Sequence, residues 1–262
     1  PRVRRQRQMC IRDRSMTFLN SLDKMMITDI RGEEENALYT IAYQCSSVVT
    51  ILVTSLNTAF APWLGEKLHE DAFNEIRAFS KKYVLIFLYF ALGIMLISPD
   101  IMMIMGGKPY MEAKYVMPPV MLGCVCQFVY TMYVNVEQFK KKTVGMAIAS
   151  ASAAIINYVL NYLLIPKFGY ISAAYTTLFS FIWLLGIHML LVRYLGYSKT
   201  YPNKFILSAV GLAVVITVGI NALYSHTIIR YIIIFIYTCM LIFAIIHFKD
   251  QLIKLFKRKA SK

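Results

Sequence analysis

Asn157 to Thr177 reads NYVLNYLLIPKFGYISAAYTT. Two amides stand one helical turn apart in an otherwise apolar run, which a proline, a lysine and a glycine then interrupt. Small and hydroxyl residues open the run that follows. PKFG has the composition of a tight turn, so the stretch predicts two helices folded back as a hairpin. On the first helix Ser150, Ala154, Asn157 and Asn161 share one face at spacings of four, three and four, flanked by Ala147 and Ala153. Small residues let helices approach closely, and amides bond across such a seam. Asn157 and Asn161 are therefore read as packing residues rather than binding residues.

The rest of the chain has the same character. Of its 262 residues 58% are hydrophobic and 16% charged, and the charges fall in short clusters between long apolar runs. Runs of about 18 apolar residues or more mark membrane-spanning helices. The expected fold is all-α, a polytopic transmembrane helix bundle. Seven full spans can be drawn: Ala37–Leu64, Tyr83–Met105, Val116–Gln138, Val144–Ile165, Tyr170–Val192, Phe205–Tyr224 and Ile228–His247. Met16–Thr28 reads as the end of an eighth.

The net charge of +14 is not that of a nucleic-acid binder, because no basic face is interleaved with exposed aromatics. Six basic residues crowd the first fourteen positions, PRVRRQRQMCIRDR; without them 22 basic and 13 acidic residues remain, a net +9. No apolar segment or small-residue cleavage site makes that stretch a signal peptide. It resembles translated sequencing-adapter sequence, so residues 1–14 are expected to be a non-native leader; a native arginine-rich tail is the alternative. Residues 15–248 then form the transmembrane helical lobe and 249–262 a basic tail.

Loops alternate in basic content. Gly65–Lys82, Phe139–Thr143, Arg193–Lys204 and the segment after His247 hold sixteen Lys and Arg, and the opposite loops hold five. The positive-inside rule puts the first set, with the C-terminus, in the cytoplasm. Gly65–Lys82 also has the pattern of an amphipathic helix lying on the interface through Leu68, Phe73, Ile76 and Phe79; an ordinary solvated connector is the alternative.

Signals for catalysis are sparse. His69, His188, His226 and His247 have no ligand spacing, the five cysteines give no disulfide or metal framework, and no phosphate loop or nucleophile elbow is present. The chain is read as a non-enzyme without cofactor or metal.

Polar stripes within spans carry more information. In Ala37–Leu64, Thr40, Gln44, Ser47, Thr54 and Thr58 fall within about 80° of one another, with Tyr43, Thr50 and Asn57 along one edge. Val49, Leu52, Val53, Leu56 and Phe60 occupy the other face. A span polar on one side and oily on the other lines something wet or bonds to neighbours. Val116–Gln138 repeats the pattern with Gln127, Thr131 and Gln138, and Asn135 at the edge. Glu137 abuts Lys140–Lys142 and is read as one side of an interfacial ion pair. Asp23 and Lys24 are adjacent opposite charges inside a predicted span, where charge is costly and usually faces a cavity.

The chain resembles a known family at these same places. NYVLNYLLIPKFGYISAAYTTLFS after FKKKT, LDKMMITDIRGEEENALYTIAY, and SLNTAFAPWLGEKL resemble bacterial polysaccharide-biosynthesis flippases. Those belong to the multidrug/oligosaccharidyl-lipid/polysaccharide exporter superfamily. The resemblance covers roughly residues 16–250 and implies twelve to fourteen helices in two lobes, with this chain as the second and the N-terminal lobe missing. It implies an undecaprenyl-pyrophosphate-linked oligosaccharide of O-antigen, lipopolysaccharide, capsule or exopolysaccharide synthesis as cargo, flipped across the bacterial inner membrane among membrane lipids. H+ or Na+ is the implied coupling ion. On that reading the substrate path holds Asp23, Lys24, Thr40, Gln44, Ser47, Thr54, Asn57, Thr58, Gln127, Thr131, Asn135 and Gln138, with Lys24 attracting pyrophosphate. A drug/cation antiporter or lipid II flippase of the superfamily, and a membrane subunit with no transport role, are the alternatives.

Overall fold

The computed structural model describes residues 21–260, and these form an all-helical bundle. In chain order the helices are α1 (21–31), α2 (Glu33–His69), α3 (Phe73–Leu96), α4 (Ser98–Gly106), α5 (Met117–Phe139), α6 (Thr143–Phe168), α7 (Tyr170–Tyr194), α8 (Asn203–Leu223) and α9 (Thr227–Ala260). A 3-10 helix, Lys108–Tyr115, joins α4 to α5. Among the described residues six helices (α2, α3, α5, α6, α7 and α8) are long and apolar enough to cross a membrane; α9 adds a shorter apolar stretch, Thr227–Phe243. The leader expected at 1–14 lies outside the described residues, as do 16–20 of the first expected segment.

The hub is α5. In its most apolar window 89% of residues are buried, against at most 44% in any other spanning helix. A helix buried on nearly every side stands in the middle of a bundle, and α5 packs against α2, α3, α6, α7 and α8. Pro118 and Pro119 sit in its first turn, where a missing N–H costs little. Gly123 lets it approach α7: a Cβ there would lie 3.1 Å from the Phe181 ring.

The predicted hairpin is α6 and α7, turned at Gly169 with φ +70°. The side chain of Glu35 closes this turn from α2. Its Oε2 accepts the backbone N–H of Tyr170, in the first turn of α7, at 3.1 Å, while Arg31 holds its Oε1 at 2.8–2.9 Å. An acid at a helix N-terminus meets unsatisfied N–H groups and the positive end of the helix dipole.

Two expected elements take a different form. The Gly65–Lys82 segment is not an interfacial helix: α2 continues to His69, α3 starts at Phe73, and three residues turn between them through Asp71 at φ +52°. Leu68 and Ile76 are buried inside the bundle, because the apolar period of each span simply runs on in register. The expected Tyr83–Met105 span breaks at Ile97. Pro99, in the first turn of α4, has no N–H for an uninterrupted ladder and clashes with the preceding turn.

That break frees the carbonyl of Leu96, since the Asp100 N–H bonds Ile97 O instead. Arg230 of α9 fills the gap. Its Nη1 donates to Leu96 O at 3.2 Å and to Asp100 Oδ2 at 2.7 Å, and its Nη2 donates to Asp100 Oδ1 at 3.2 Å. Tyr231 donates to the same carboxylate at 2.7 Å. Farther along, Tyr237 stacks on Tyr89 of α3 with centroids 4.0 Å apart. An arginine counted in sequence as a loop charge is thus the pin that docks α9.

The two partners of this pin differ in exposure, with side chains 5% exposed for Arg230 and 34% for Asp100. Asp100→Ala strands a buried guanidinium and is expected to cost about 3 kcal/mol, whereas Arg230→Met leaves a carboxylate that water reaches and costs about 1 kcal/mol. Thermal unfolding in detergent, read by tryptophan fluorescence, measures the asymmetry. Equal losses would mean that the pair behaves as a surface contact.

Candidate functional site

Buried polar residues from four helices meet at Asp23. The carboxylate is fully buried. Its Oδ1 accepts Asn161 Nδ2 from α6 at 2.6 Å; its Oδ2 accepts Tyr39 OH from α2 at 2.8 Å and Thr177 Oγ1 from α7 at 2.5 Å. Asn161 Nδ2 also reaches Asn157 Oδ1 at 3.2 Å, and Asn157 Nδ2 donates to Thr177 Oγ1 at 3.1 Å. The Thr176 hydroxyl is within reach of Asn161 Oδ1 and of Ala173 O, which share its one proton. The two amides therefore do bond across the α6/α7 seam, and the network they form ends on a carboxylate 138 residues away in sequence.

Lys24 points elsewhere. Adjacent helical residues diverge by about 100°, so while Asp23 faces α6 and α7, Lys24 lines a cavity with its Nζ 5.7 Å from the centre of the Tyr43 ring. That cavity, of about 320 Å³, lies between α1, α2, α5 and α7; Ser46, Ser47, Thr50, Gln127 and Thr177 also line it. Thr177 belongs to both places: it forms part of the cavity wall and donates to Asp23 behind it.

A second cavity of about 310 Å³ continues along the same seam, lined by Thr54, Asn57, Thr131, Asn135, Gln138 and His188, with Gln127 shared. Asn135 Nδ2 donates to Asn57 Oδ1 at 2.7 Å, tying α5 to α2. Between them the cavities follow α5 from Pro119 to Gln138. At about 1.5 Å per residue that is roughly 28 Å, close to the ~30 Å of a bilayer's hydrocarbon core.

Of the residues expected to form a path, Lys24, Ser47, Thr54, Asn57, Gln127, Thr131, Asn135 and Gln138 line these cavities. Asp23 sits behind the wall. Thr40, Gln44 and Thr58 line neither; Thr40 is within 3.2 Å of Asn36 Oδ1, Thr58 bonds its own helix, and Gln44 is exposed. The oily face of α2 turns inward, with Val49, Val53 and Phe60 buried. Its polar stripe lies on the more exposed side, and only the edge with Ser47, Thr54 and Asn57 reaches the cavities. The hydroxyls there are quieted locally: Thr50, Thr54, Ser55 and Thr58 each donate to the carbonyl four residues back.

Glu137 departs from expectation. Instead of reaching toward the neighbouring lysines it is 1% exposed, and its Oε1 lies 2.7 Å from His188 Nδ1 on α7. The imidazole lies against the Tyr130 ring, with centroids 5.5 Å apart. Residue 137 is on the side of α5 that α7 covers, so the carboxylate cannot snorkel without leaving an imidazole buried alone. Tyr39 and His188 were not singled out as site residues, because both read as ordinary members of apolar spans.

Oxygen atoms dominate the Asp23 cluster: a carboxylate, amide and hydroxyl oxygens, and the Ala173 carbonyl. Among the described residues no three His, Cys, Asp or Glu side chains cluster as a transition-metal site would need.

The MatE family profile matches residues 9–163. An uncharacterised membrane protein of Haemophilus influenzae is 23% identical over 141 residues, which are 53% of this chain and 35% of that relative. The lipid II flippase MurJ, in its inward closed conformation, superposes with a TM-score of 0.64 at 16% identity over 94% of this chain and 53% of MurJ. The chain thus spans about half the length of that structure and a third of that relative.

The bond from Thr177 to the carboxylate is one of three that hold Asp23, and a charge-assisted bond in a buried site is worth about 2 kcal/mol. Thr177→Val should destabilise the protein by about that amount. Thr54→Val, which removes a hydroxyl bonded to its own helix, should cost under about 0.5 kcal/mol. Melting both variants in the same detergent compares them; a Thr177→Val protein as stable as Thr54→Val would remove the cluster's anchoring role.

Proposed function

The chain belongs to the MatE family, and from that premise we propose that it is the second lobe of a flippase for undecaprenyl-pyrophosphate-linked oligosaccharide. The carrying observation is the polar seam between α2 and α5, whose cavities follow α5 over about the thickness of a bilayer core and, among the described residues, hold one lysine, Lys24. A flippase must give a hydrated, anionic head group a polar track while the lipid tail stays in the bilayer. Amides and hydroxyls exchange hydrogen bonds with sugars without trapping them, and an ammonium at one end of the track attracts pyrophosphate.

The outward polar stripe of α2 supports the two-lobed arrangement. Gln44, Ser47, Thr54 and Thr58 are exposed in a helix that crosses the membrane. Polar groups do not stably face lipid, so this face is assigned to a water-filled cleft closed by an N-terminal lobe. Alternating access then opens the cleft to each side in turn. With its basic loops in the cytoplasm, the chain sits in the bacterial inner membrane with its C-terminus inside. Cargo on this reading serves lipopolysaccharide, capsule or exopolysaccharide synthesis.

Asp23 is proposed as the site of the coupling ion. A cation there would be held by the carboxylate, Thr177 and the amide oxygens of Asn157 and Asn161, once those amides turn their oxygens inward. The ion supplies the driving force and the chain supplies a dry cage that links α1 to the hairpin. The same buried carboxylate favours a second reading, a drug/cation antiporter of the superfamily, because such a transporter requires an acidic ion site within its spans.

Proteoliposomes containing the two-lobed protein test both readings. Fluorescent undecaprenyl-pyrophosphate oligosaccharide should become protected from an impermeant quencher. Lys24→Ala should slow this at least tenfold by weakening pyrophosphate capture, and Asp23→Asn should abolish its dependence on an imposed Na+ or H+ gradient. Transport of a cationic dye with no movement of the glycolipid would replace the flippase by the antiporter.

A further inference from the structure

On the side of the basic loops, away from the seam, α3 and the N-terminus of α8 enclose an open pocket of about 480 Å³. Arg77 and Lys81 enter it from α3, Lys204 from α8, and Ser198, Asn203 and Phe205 complete the wall. None of its lining residues is acidic, and among the described residues no carboxylate pairs with any of the three cations. Arg77 Nε donates to the backbone carbonyl of Lys199 at 2.6 Å, which leaves its terminal nitrogens for another acceptor. Lys81 Nζ lies 5.7 Å from the centre of the Phe205 ring. The first turn of α8 adds the positive end of its dipole to the same place.

One turn along each helix the chemistry reverses. Leu85 follows Lys81 by four residues and is 48% exposed; Leu207 follows Lys204 by three and is 53% exposed. Residues three and four apart share a helix face, so Lys81 and Lys204 each stand beside an exposed apolar side chain. A positively charged pocket bordered by exposed apolar side chains matches a molecule with an anionic head and apolar tails. We infer that this pocket binds the phosphodiester headgroup of an anionic membrane phospholipid, with its acyl chains along Leu85 and Leu207. The inference rests on the pocket alone and stands independently of what the seam transports.

Purified full chain in detergent is titrated with short-chain phosphatidylglycerol, with phosphatidylcholine and with inorganic phosphate, while the thermal unfolding midpoint is followed. Phosphatidylglycerol should raise the midpoint saturably and phosphatidylcholine should not. In Arg77→Gln/Lys81→Gln/Lys204→Gln the half-saturating concentration should rise at least tenfold. The single exposed change Lys204→Gln, which threatens folding least, should raise it severalfold. Lys140→Gln/Lys141→Gln/Lys142→Gln, which removes as much charge from another basic loop, should leave it unchanged. A pocket variant that responds as the wild type does, or a loop variant that loses the response equally, overturns the site. An equal shift from inorganic phosphate at the same concentration overturns the lipid in favour of a free phosphate.

Discussion

A carboxyl group inside a membrane bundle is costly to keep unless protein donors answer its oxygens, because neither water nor lipid will do so. Asp23 meets that requirement with donors from α2, α6 and α7, and its own helix is α1. No single pair of helices can satisfy it. Four elements must therefore be in place together, and the arrangement of α6 and α7 against the start of the chain follows from that one charge. The seam beside it depends on the same contact, since Thr177 is both a donor to Asp23 and part of the cavity wall.

A second constraint comes from α2, which has two unlike faces. Val49, Val53 and Phe60 are drawn against α5 and the rest of the core, and this leaves the hydroxyl stripe outside. Backbone-bonded threonines and serines make that stripe tolerable, but they do not make it oily. The residues at its inner edge, Asn57 and Thr54, reach the second cavity. One helix thus marks the boundary between a packed interior and an exposed polar surface, and α5 supplies the facing wall with Gln127, Thr131 and Asn135.

Much of this was legible in sequence, and the reason differs from residue to residue. Hydropathy marks spans well because length and apolarity are set by the bilayer, and the hairpin at PKFG follows from turn chemistry. Periodicity likewise identified the two faces of α2. It cannot say which helix stands opposite: Asn161 meets Asp23 across 138 residues, and Glu137 meets His188 across 51. For that reason Glu137 was assigned to its sequence neighbours, the lysines, when α7 in fact covers it. Asn157 and Asn161 look like packing from their spacing, and both are buried and bonded across the seam; the carboxyl group they surround is invisible until α1 is in place. The break at Pro99 was written in the sequence, whereas its consequence, a freed carbonyl met by Arg230, needed the fold.

The adjacent charges gain meaning from their divergence. Had Asp23 and Lys24 faced one another, they would have formed a closed pair with little left for any ligand. Instead about 100° of helical rotation separates an anion locked to α6 and α7 from a cation open to the cavity. Both ride on the same short helix, and Tyr39 and Tyr43, stacked 5.1 Å apart, contact one charge each. Any displacement of α1 that loosens Asp23 from Asn161 and Thr177 must carry Lys24 with it, because the two are joined by a single peptide bond. The positions of the buried carboxylate and of the ammonium lining the cavity are therefore mechanically one variable, and that linkage needs no pathway longer than one turn of helix.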